Sequence, residues 1–163
     1  MAENAGSEKL SWRTPQVRFK VLFTALLLAF LCYGTFTWVL WPVKVAGESM
    51  MPNYRDGSRH FINKLAYWSE KPQRGDVVGL RVGRRDIYIK RIIGLPGEHL
   101  VFTNGMVAID GKLLNEPYID SKVPWSIDPV TLGPDDYYVM GDNRATSVLG
   151  AISANRIIGK VVF

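Results

Sequence analysis

Ser49 is the residue whose surroundings first suggest chemistry, because its small hydroxyl lies in an apolar, proline-stiffened stretch, "VKVAGESMMPNYRDG" at 43–57. A serine hydroxyl is a weak nucleophile until a neighbouring group removes its proton. Histidine is the usual base, and the chain has two, His60 and His99, each at the start of a strand-like segment. Neither is flanked by residues that mark it as a base, so we disfavour a Ser-His-acid triad.

Lys90 is the alternative base, because a serine can also be activated by a lysine that is held neutral in a dry pocket. In "RDIYIKRIIGLPGE" (85–98), period-two alternation places Tyr88, Lys90 and Ile92 on one face of a strand. Burial disfavours the charged ammonium, and activity near neutral pH requires the lysine pKa to fall by about three units. Alternation alone leaves a second interpretation open, in which Lys90 extends its ammonium from a strand edge into water.

The elements that would position these residues are strands. Runs of β-branched and aromatic residues, separated by Gly, Pro, Asn and Asp, occur at 60–68, 76–83, 86–93, 99–103, 106–110, 137–140 and 156–163. Asn104-Gly105 and Asp110-Gly111 predict tight hairpin turns. The proline-containing segment 115–135 is expected to be a long surface connection, and 147–154 a short helical turn. The sequence therefore predicts an all-β domain with a compact folded-sheet or barrel-like core.

A membrane anchor is predicted before this domain. Residues 21–41 contain no charged residue, and at the helical rise they span about 30 Å, the thickness of the bilayer core. A cleavable signal peptide would have a shorter apolar core of about 7–15 residues, so we expect a retained anchor. The leader 1–20 carries four basic and two acidic residues, which favours a cytoplasmic N-terminus and an extracytoplasmic domain at 42–163.

Composition excludes several other classes of function. The net charge is +5 over 163 residues, but no face or run concentrates the basic groups, so no nucleic-acid partner is expected. Cys32 is the single cysteine and lies in the apolar run, where it is interpreted as a small hydrophobic residue. The sequence has no Cys/His cluster and no phosphate-binding glycine loop, so no metal or other cofactor is expected.

Four segments occur in the order and content typical of type I signal peptidases: "GESMMPN", "RGDVV" (74–78), "YIKRIIGLPGE" (88–98) and "GDNRATS" (141–147). The chain therefore resembles this family of membrane-bound serine endopeptidases, which remove N-terminal signal or leader peptides from exported proteins. The resemblance implies that Ser49 is the nucleophile and that Lys90 is its general base. It also implies that the backbone amide of Ser49 helps to form the oxyanion hole.

The resemblance implies further site residues and partners. Ser147 matches the serine that orients the lysine, and Asp142 and Arg91 match a structural ion pair. Shallow apolar pockets for small side chains before the cleavage point should be lined by Val45, Ala46, Met50, Tyr88 and Ile89. The expected partners are precursor proteins that carry signal peptides and the lipid bilayer. The expected location is the inner, cytoplasmic membrane, with the catalytic domain on the periplasmic side.

The chain also departs from the family pattern. Gly47 stands where some members carry a hydroxyl that adds a donor to the oxyanion hole, and Asn53 replaces the commoner threonine. After Ser147 the chain continues Val148-Leu149-Gly150 instead of x-Asp-Ser-Arg, so a second bracing ion pair is expected to be missing. These differences suggest a short, divergent member, for example one associated with secretion or conjugation.

Three functions stay open at this point. The first is a signal peptidase that acts on exported proteins in general. The second is a dedicated maturation peptidase for one partner, such as a conjugative pilin. The third is an inactive, membrane-tethered β domain that binds extended peptides, which the altered residues after Ser147 would suit.

Overall fold

The computed structural model describes residues 15–83, 86–119 and 123–162, which form one long helix and eleven strands. The helix α1 is Pro15–Trp38. The strands are β1 Leu40–Lys44, β2 Arg59–Asn63, β3 Val77–Val82, β4 Asp86–Gly94, β5 His99–Thr103, β6 Met106–Ile109, β7 Lys112–Leu113, β8 Ile127–Thr131, β9 Asp136–Met140, β10 Val148–Ser153 and β11 Ile157–Val162. The chain divides into two compact units at Trp38, so the helix and the strands are described separately.

Helix α1 is long and apolar enough to cross a membrane, and none of its residues is buried against protein. The described part of the helix begins at Pro15. It ends at Trp38, before the end of the predicted run, and Trp41 lies in β1. A residue that precedes a proline rarely adopts the helical conformation, because it clashes with the proline ring. Trp41 precedes Pro42, so the helix does not continue through this position.

The strands form two antiparallel sheets. The larger sheet has the order β1-β2-β11-β3-β4-β9-β10, and the smaller one β7-β6-β5-β8. Both sheets are open over the described residues rather than closed into a barrel. The prediction of an all-β domain after an apolar N-terminal segment is thus confirmed.

The hairpin turns agree with the sequence. Asn104 and Gly105, and likewise Asp110 and Gly111, all have positive φ angles, between 48° and 79°. Two consecutive residues of positive φ are typical of type I′ turns, whose twist matches the twist of the flanking strands. These turns join β5 to β6 and β6 to β7.

Two other predictions were wrong. The segment 115–135 was expected to be a connection, but it contains β8. The segment 147–154 was expected to be a helical turn, but residues Val148–Ser153 form β10, and only Ala154–Arg156 form a short 3-10 turn. In each case strand pairing decides the conformation, since β8 pairs with β5 and β10 pairs with β9.

Strand β4 lies in the middle of the domain's packing. Ile89 belongs to one cluster of buried apolar side chains, Ile92 to a second and Ile93 to a third. Ile92 and Ile93 have no exposed surface. Because three parts of the core hold this strand, the backbone that carries Lys90 is fixed in position.

Candidate active site

The two halves of β4 differ in their pairing. Strand β3 pairs with β4 from Asp86 to Arg91, whereas β9 pairs with it only from Arg91 onwards. The half from Asp86 to Lys90 therefore has a paired strand on one side only. Strand β1 is the edge of the same sheet and pairs with β2 alone.

A groove of about 870 Å³ runs along these unpaired edges. It is lined by β1 and the residues that follow it as far as Met50, by the first half of β4, and by Thr146 and Ser147. Ser49 and Lys90 both lie in the groove, as do all five residues predicted to form the substrate pockets.

Ser49 lies in a tight turn that follows β1. Gly47 has a φ of 90°, which an L side chain rarely adopts, and its N–H donates a 2.9 Å hydrogen bond to Oδ1 of Asp56. Met50, next to the serine, is 1% exposed and anchors the turn in the core. The backbone conformation thus gives a local reason for glycine at 47.

Lys90 brings two serines together. Its Nζ lies 2.7 Å from Oγ of Ser49 and 2.5 Å from Oγ of Ser147, and the whole residue is only 6% exposed. Burial lowers the pKa of Lys90, while the negative charge of Asp142 opposes this effect in part. The interpretation in which Lys90 extends into water is therefore wrong. A neutral amine at this distance can accept the proton of a serine hydroxyl.

Gly141 allows the loop 141–147 to lie against the turn of Ser49. A Cβ at this position would overlap the carbonyl oxygen of Ser49 and the hydroxyl of Ser147. The N–H of Asn143 donates a 3.0 Å hydrogen bond to the same Ser49 carbonyl, and its side-chain amide donates to the carbonyl of Glu48. The loop therefore holds the Ser49 turn on one side and presents Ser147 to Lys90 on the other.

Arg91 and Asp142 form a bidentate ion pair beside this loop. The Arg91 Nε donates to Oδ1 at 2.7 Å and its Nη2 to Oδ2 at 2.6 Å, and the Asp142 side chain has no exposed surface. Burial is the largest effect on the Arg91 pKa and lowers it, but the hydrogen bonds and negative charge of Asp142, together with the nearby tyrosines Tyr118 and Tyr54, leave this pKa raised. The side-chain amide of Asn53 donates to Asp142 at 2.9 Å, so the residue that replaces the family's threonine joins this network.

A second ion pair holds the same loop, and the sequence did not predict it. Arg144, 4% exposed, pairs with Glu116 through both terminal nitrogens, and its Nε donates to the carbonyl of Gly141 at 3.1 Å. This pair is not the one that the resemblance implied to be missing after Ser147, because it reaches the loop from Glu116. The arginine in "GDNR" was visible in the sequence, but its partner is 28 residues away with no local pattern to indicate it.

The predicted pocket residues divide into a floor and a rim. Val45, Met50 and Ile89 are at most 9% exposed and pack in one apolar cluster. Ala46 and Tyr88 are exposed at the groove surface, with 44% of Tyr88 accessible. Such a surface can accept small apolar side chains.

The two histidines lie elsewhere. Nε2 of His60 is 3.0 Å from Oγ of Ser58, and Nδ1 of His99 is 2.9 Å from Oγ1 of Thr131. Neither residue lines the groove. Over the described ranges no three His, Cys, Asp or Glu side chains are grouped so that they could hold a metal ion.

Comparison with known proteins gives one result throughout. The family model described as "Signal peptidase, peptidase S26" matches residues 17–163. A signal peptidase I of Bacillus amyloliquefaciens is 36% identical over 138 residues, which cover 75% of this chain and 72% of that protein. Signal peptidase I T of Bacillus subtilis (strain 168) is 34% identical over 160 residues, 88% of this chain and 81% of that protein.

The fold comparison agrees. The crystal structure of a signal peptidase I from Enterococcus faecalis V583 matches with a TM-score of 0.50 and 25% identity, over 57% of this chain and 98% of that one. The chain belongs to the signal peptidase family, peptidase S26, and is a peptidase. The resemblance that the four sequence segments indicated is thus confirmed.

Proposed function

We propose that this chain is a membrane-bound serine endopeptidase that removes N-terminal signal or leader peptides from exported proteins, with Ser49 as nucleophile and Lys90 as general base. The observation that carries the proposal is the 2.7 Å distance between Nζ of Lys90 and Oγ of Ser49 in a buried setting that lowers the pKa of the lysine. The names of the relatives, signal peptidase I and signal peptidase I T, support the substrate class.

The reaction follows from these atoms. Neutral Nζ of Lys90 accepts the Ser49 hydroxyl proton while Oγ bonds to the scissile carbonyl carbon, and the carbonyl electrons move to oxygen. The tetrahedral intermediate collapses, the C–N bond breaks, and Lys90 returns the proton to the departing amine. Water then attacks the acyl carbon while Lys90 accepts its proton, and a second tetrahedral intermediate forms. It collapses as the bond to Ser49 Oγ breaks and Lys90 returns the proton to Oγ, so the acid product leaves and both groups are restored. Ser147 Oγ accepts a hydrogen bond from Nζ and so directs the lysine lone pair towards Ser49.

The unpaired edges that line the groove suit an extended peptide. We propose that the substrate adds as a strand beside β1 and the half of β4 from Asp86 to Lys90, using main-chain hydrogen bonds for binding. Its small side chains would enter the pockets whose floor is Val45, Met50 and Ile89. The alternating side chains of an extended strand make selectivity depend on every second residue.

Helix α1 would hold the enzyme in the bilayer in which its substrates are also anchored. The basic leader favours a cytoplasmic N-terminus, so we propose that the strands lie on the extracytoplasmic face. Protease protection of the β domain in sealed vesicles of known orientation tests this part of the proposal.

The mechanism is tested with the full chain in detergent and a panel of precursor proteins, by mapping the new N-termini. Ser49→Ala and Lys90→Ala should each abolish cleavage, and Lys90→Arg should too, since a guanidinium does not give up its proton near neutral pH. Ser153→Ala and Lys71→Ala serve as matched controls that should cleave normally, since neither lines the groove. Cleavage at the same site by purified Ser49→Ala protein would refute the mechanism.

The two alternatives are separated in the same assay. Cleavage of products encoded beside this gene, but not of general secretory precursors, would favour a dedicated maturation peptidase. Labelling of Ser49 by a serine-directed acylating inhibitor would exclude the inactive peptide-binding domain. The loop that presents Ser147 is held by two ion pairs, so the altered residues that follow it give little support to inactivity.

A further inference from the structure

The segment 116–118, between β7 and β8, lies beneath the loop 141–147 and contacts it by two routes. In the first route, the Glu116 carboxylate binds both terminal nitrogens of Arg144, whose Nε binds the carbonyl of Gly141. Gly141 in turn lies against Ser49 and Ser147 so closely that it has no room for a Cβ. This route therefore ends at both serines that flank Lys90.

The second route starts at Tyr118. Its carbonyl accepts a 2.8 Å hydrogen bond from the Asn53 side chain, which also binds Asp142 at 2.9 Å. The Tyr118 ring lies 4.2 Å from the guanidinium carbon of Arg91, the residue that follows Lys90 in β4. This route therefore ends at the ion pair beside the lysine.

The two routes are joined within the segment itself. The hydroxyl of Tyr118 donates a 2.8 Å hydrogen bond to Oε1 of Glu116, the oxygen that also binds Arg144. The side chains of Glu116 and Arg144 are 8% and 1% exposed, so water cannot easily replace these contacts. We define Glu116, Tyr118 and Asn53 as the brace.

We propose that the brace positions the reacting groups: it fixes the loop 141–147 so that Ser147 and Ser49 stay within hydrogen-bond distance of Lys90. The proposal rests on the proposed function of Ser49 and Lys90. The three members of the brace are positioning residues and not catalytic ones, since none of them lines the groove.

A positioning role has consequences that a purely structural role lacks. Because the brace does not line the groove, its loss should lower kcat and leave KM nearly unchanged. A looser loop admits water to Lys90, which reduces the desolvation that lowers its pKa. The acid limb of the pH profile of kcat/KM should then move to higher pH, because a smaller fraction of the lysine is neutral.

The test compares Glu116→Gln with Glu98→Gln in the full chain in detergent. Glu98 also forms an ion pair with an arginine, Arg74, and its other carboxylate oxygen accepts from the N–H of Leu95, so these partners lie outside the loop 141–147. Rates are expressed per active serine, counted with an acylating inhibitor, so that unfolded protein does not contribute. We expect Glu116→Gln to lower kcat about 10- to 100-fold, to change KM less than about twofold, and to shift the acid limb upwards. Glu98→Gln should lower only the melting temperature.

Two further variants test the other route and keep the proposal falsifiable if Glu116→Gln does not fold. Asn53→Ala removes a side chain that is exposed at the surface, so folding should survive while kcat and the acid limb change as above. Tyr118→Phe removes only the hydrogen bond to Glu116 and keeps the ring and the carbonyl, so it should cause the same changes to a smaller extent. If Glu116→Gln and Asn53→Ala have wild-type kcat and pH profiles, the brace is only structural and the proposal fails. Activity of Ser49→Ala would instead refute the proposed function, so the two failures are distinguishable.

Discussion

The two halves of β4 have the same neighbour on one side and different surroundings on the other. From Arg91 onwards the strand pairs with β9. On its other side Arg91 pairs with β3, and Ile92 exchanges backbone hydrogen bonds with Gly75 and Asp76, just before β3. Ile92 and Ile93 are fully buried in the core. From Asp86 to Lys90 the second side is open and forms one wall of the groove. Lys90 is the last residue before the pairing changes, so it combines a fixed backbone with access to a reacting group.

This difference suggests that the two halves of β4 have different roles. The open half can offer unpaired backbone groups to a ligand only because the paired half holds the strand in place. Substitutions in the open half should therefore change activity with little loss of stability. Substitutions in the paired half and its ion pair should change both.

Lys90→Met tests this division most strongly. Methionine has a similar volume and no charge, so under the proposed mechanism cleavage should fall at least about 10³-fold, because the proposed general base is lost. The melting temperature should not fall, since a buried amine is replaced by an apolar side chain. Lys160→Met, at a side chain that is 46% exposed and outside the groove, is the control. A large loss of stability in Lys90→Met would contradict the division between the halves.

The same variant gives a pH test of the lysine's environment. The folded-state pKa of Lys90 is lowered, whereas in the unfolded chain it has its ordinary value of about 10.5. Between these two values the unfolded chain binds more protons, so the stability of the wild type rises with pH in that window. The free energy of unfolding of wild type minus Lys90→Met should therefore rise from neutral pH towards pH 10. A flat difference would mean that the lysine is not desolvated.

Asp142→Asn tests the paired half. It removes the buried carboxylate that binds Arg91, and breaking a buried pair from one side costs about 3–5 kcal/mol. Urea unfolding should show this loss, together with a fall in activity of about tenfold or more. Asp128→Asn, at an exposed position, is the control. Unchanged stability in Asp142→Asn would show that the ion pair does not hold the paired half.

Gly141→Ala tests the contact between the loop 141–147 and the turn of Ser49, which faces Lys90 at the end of the open half. The added Cβ must displace backbone of the Ser49 turn, so the distance between Ser49 and Lys90 should increase and kcat should fall about tenfold. Gly133→Ala is the matched control, because there the nearest atoms belong to the end of the Asp136 side chain, which can move away. Equal activities of the two variants would argue against a close fit at 141.

Tyr88→Ala should have the smallest effect. The side chain is 44% exposed at the rim of the groove, so stability should change by less than about 0.5 kcal/mol. KM for a precursor peptide should rise a few-fold and kcat should stay the same, if the ring only contacts the bound substrate. A fall in kcat alone would instead connect Tyr88 to the reacting groups.

The interior strands could be predicted from the sequence, and the edge strands could not. The predicted segments correspond to β2, β3, β4, β5, β6, β9 and β11, all of which have a paired strand on both sides over part or all of their length. The strands that were missed are β1, β7, β8 and β10, which are the edges of the two sheets. Burial on both sides selects β-branched and aromatic residues, whereas an edge accommodates other residue types.

Particular residues show why the edges escaped detection. Pro42 in β1 and Pro129 in β8 indicate connections when they are considered locally, yet an edge strand tolerates proline because one side makes no ladder hydrogen bonds. Gly150 in β10 has a φ of 103° and lies at a register shift, so the regular pattern of a strand is interrupted there. Pairing with other strands determines the conformation of these segments, and no local sequence pattern indicates that pairing.

The candidate site divides in a similar way. Ser49, Lys90 and Ser147 could be named from motifs, and the structure brings them together. The contacts of Glu116 and Tyr118 could not be named, because they depend on how the connection before β8 folds back onto the loop 141–147. Asn53 stood out in the sequence only as a departure from a family pattern. Its hydrogen bonds to the Tyr118 carbonyl and to Asp142 join residues that are distant in the sequence, so no local pattern indicates them.

The open edge along Asp86–Lys90 has a further consequence for substrate choice. A peptide in a helix already uses its own N–H and C=O groups, so it cannot pair with this edge until about five residues have unwound. Under the proposed function, cleavage would therefore depend on local unfolding of the substrate before it depends on side-chain size. Folded domains that contain suitable small residues would escape cleavage, because their backbones are not accessible to the groove.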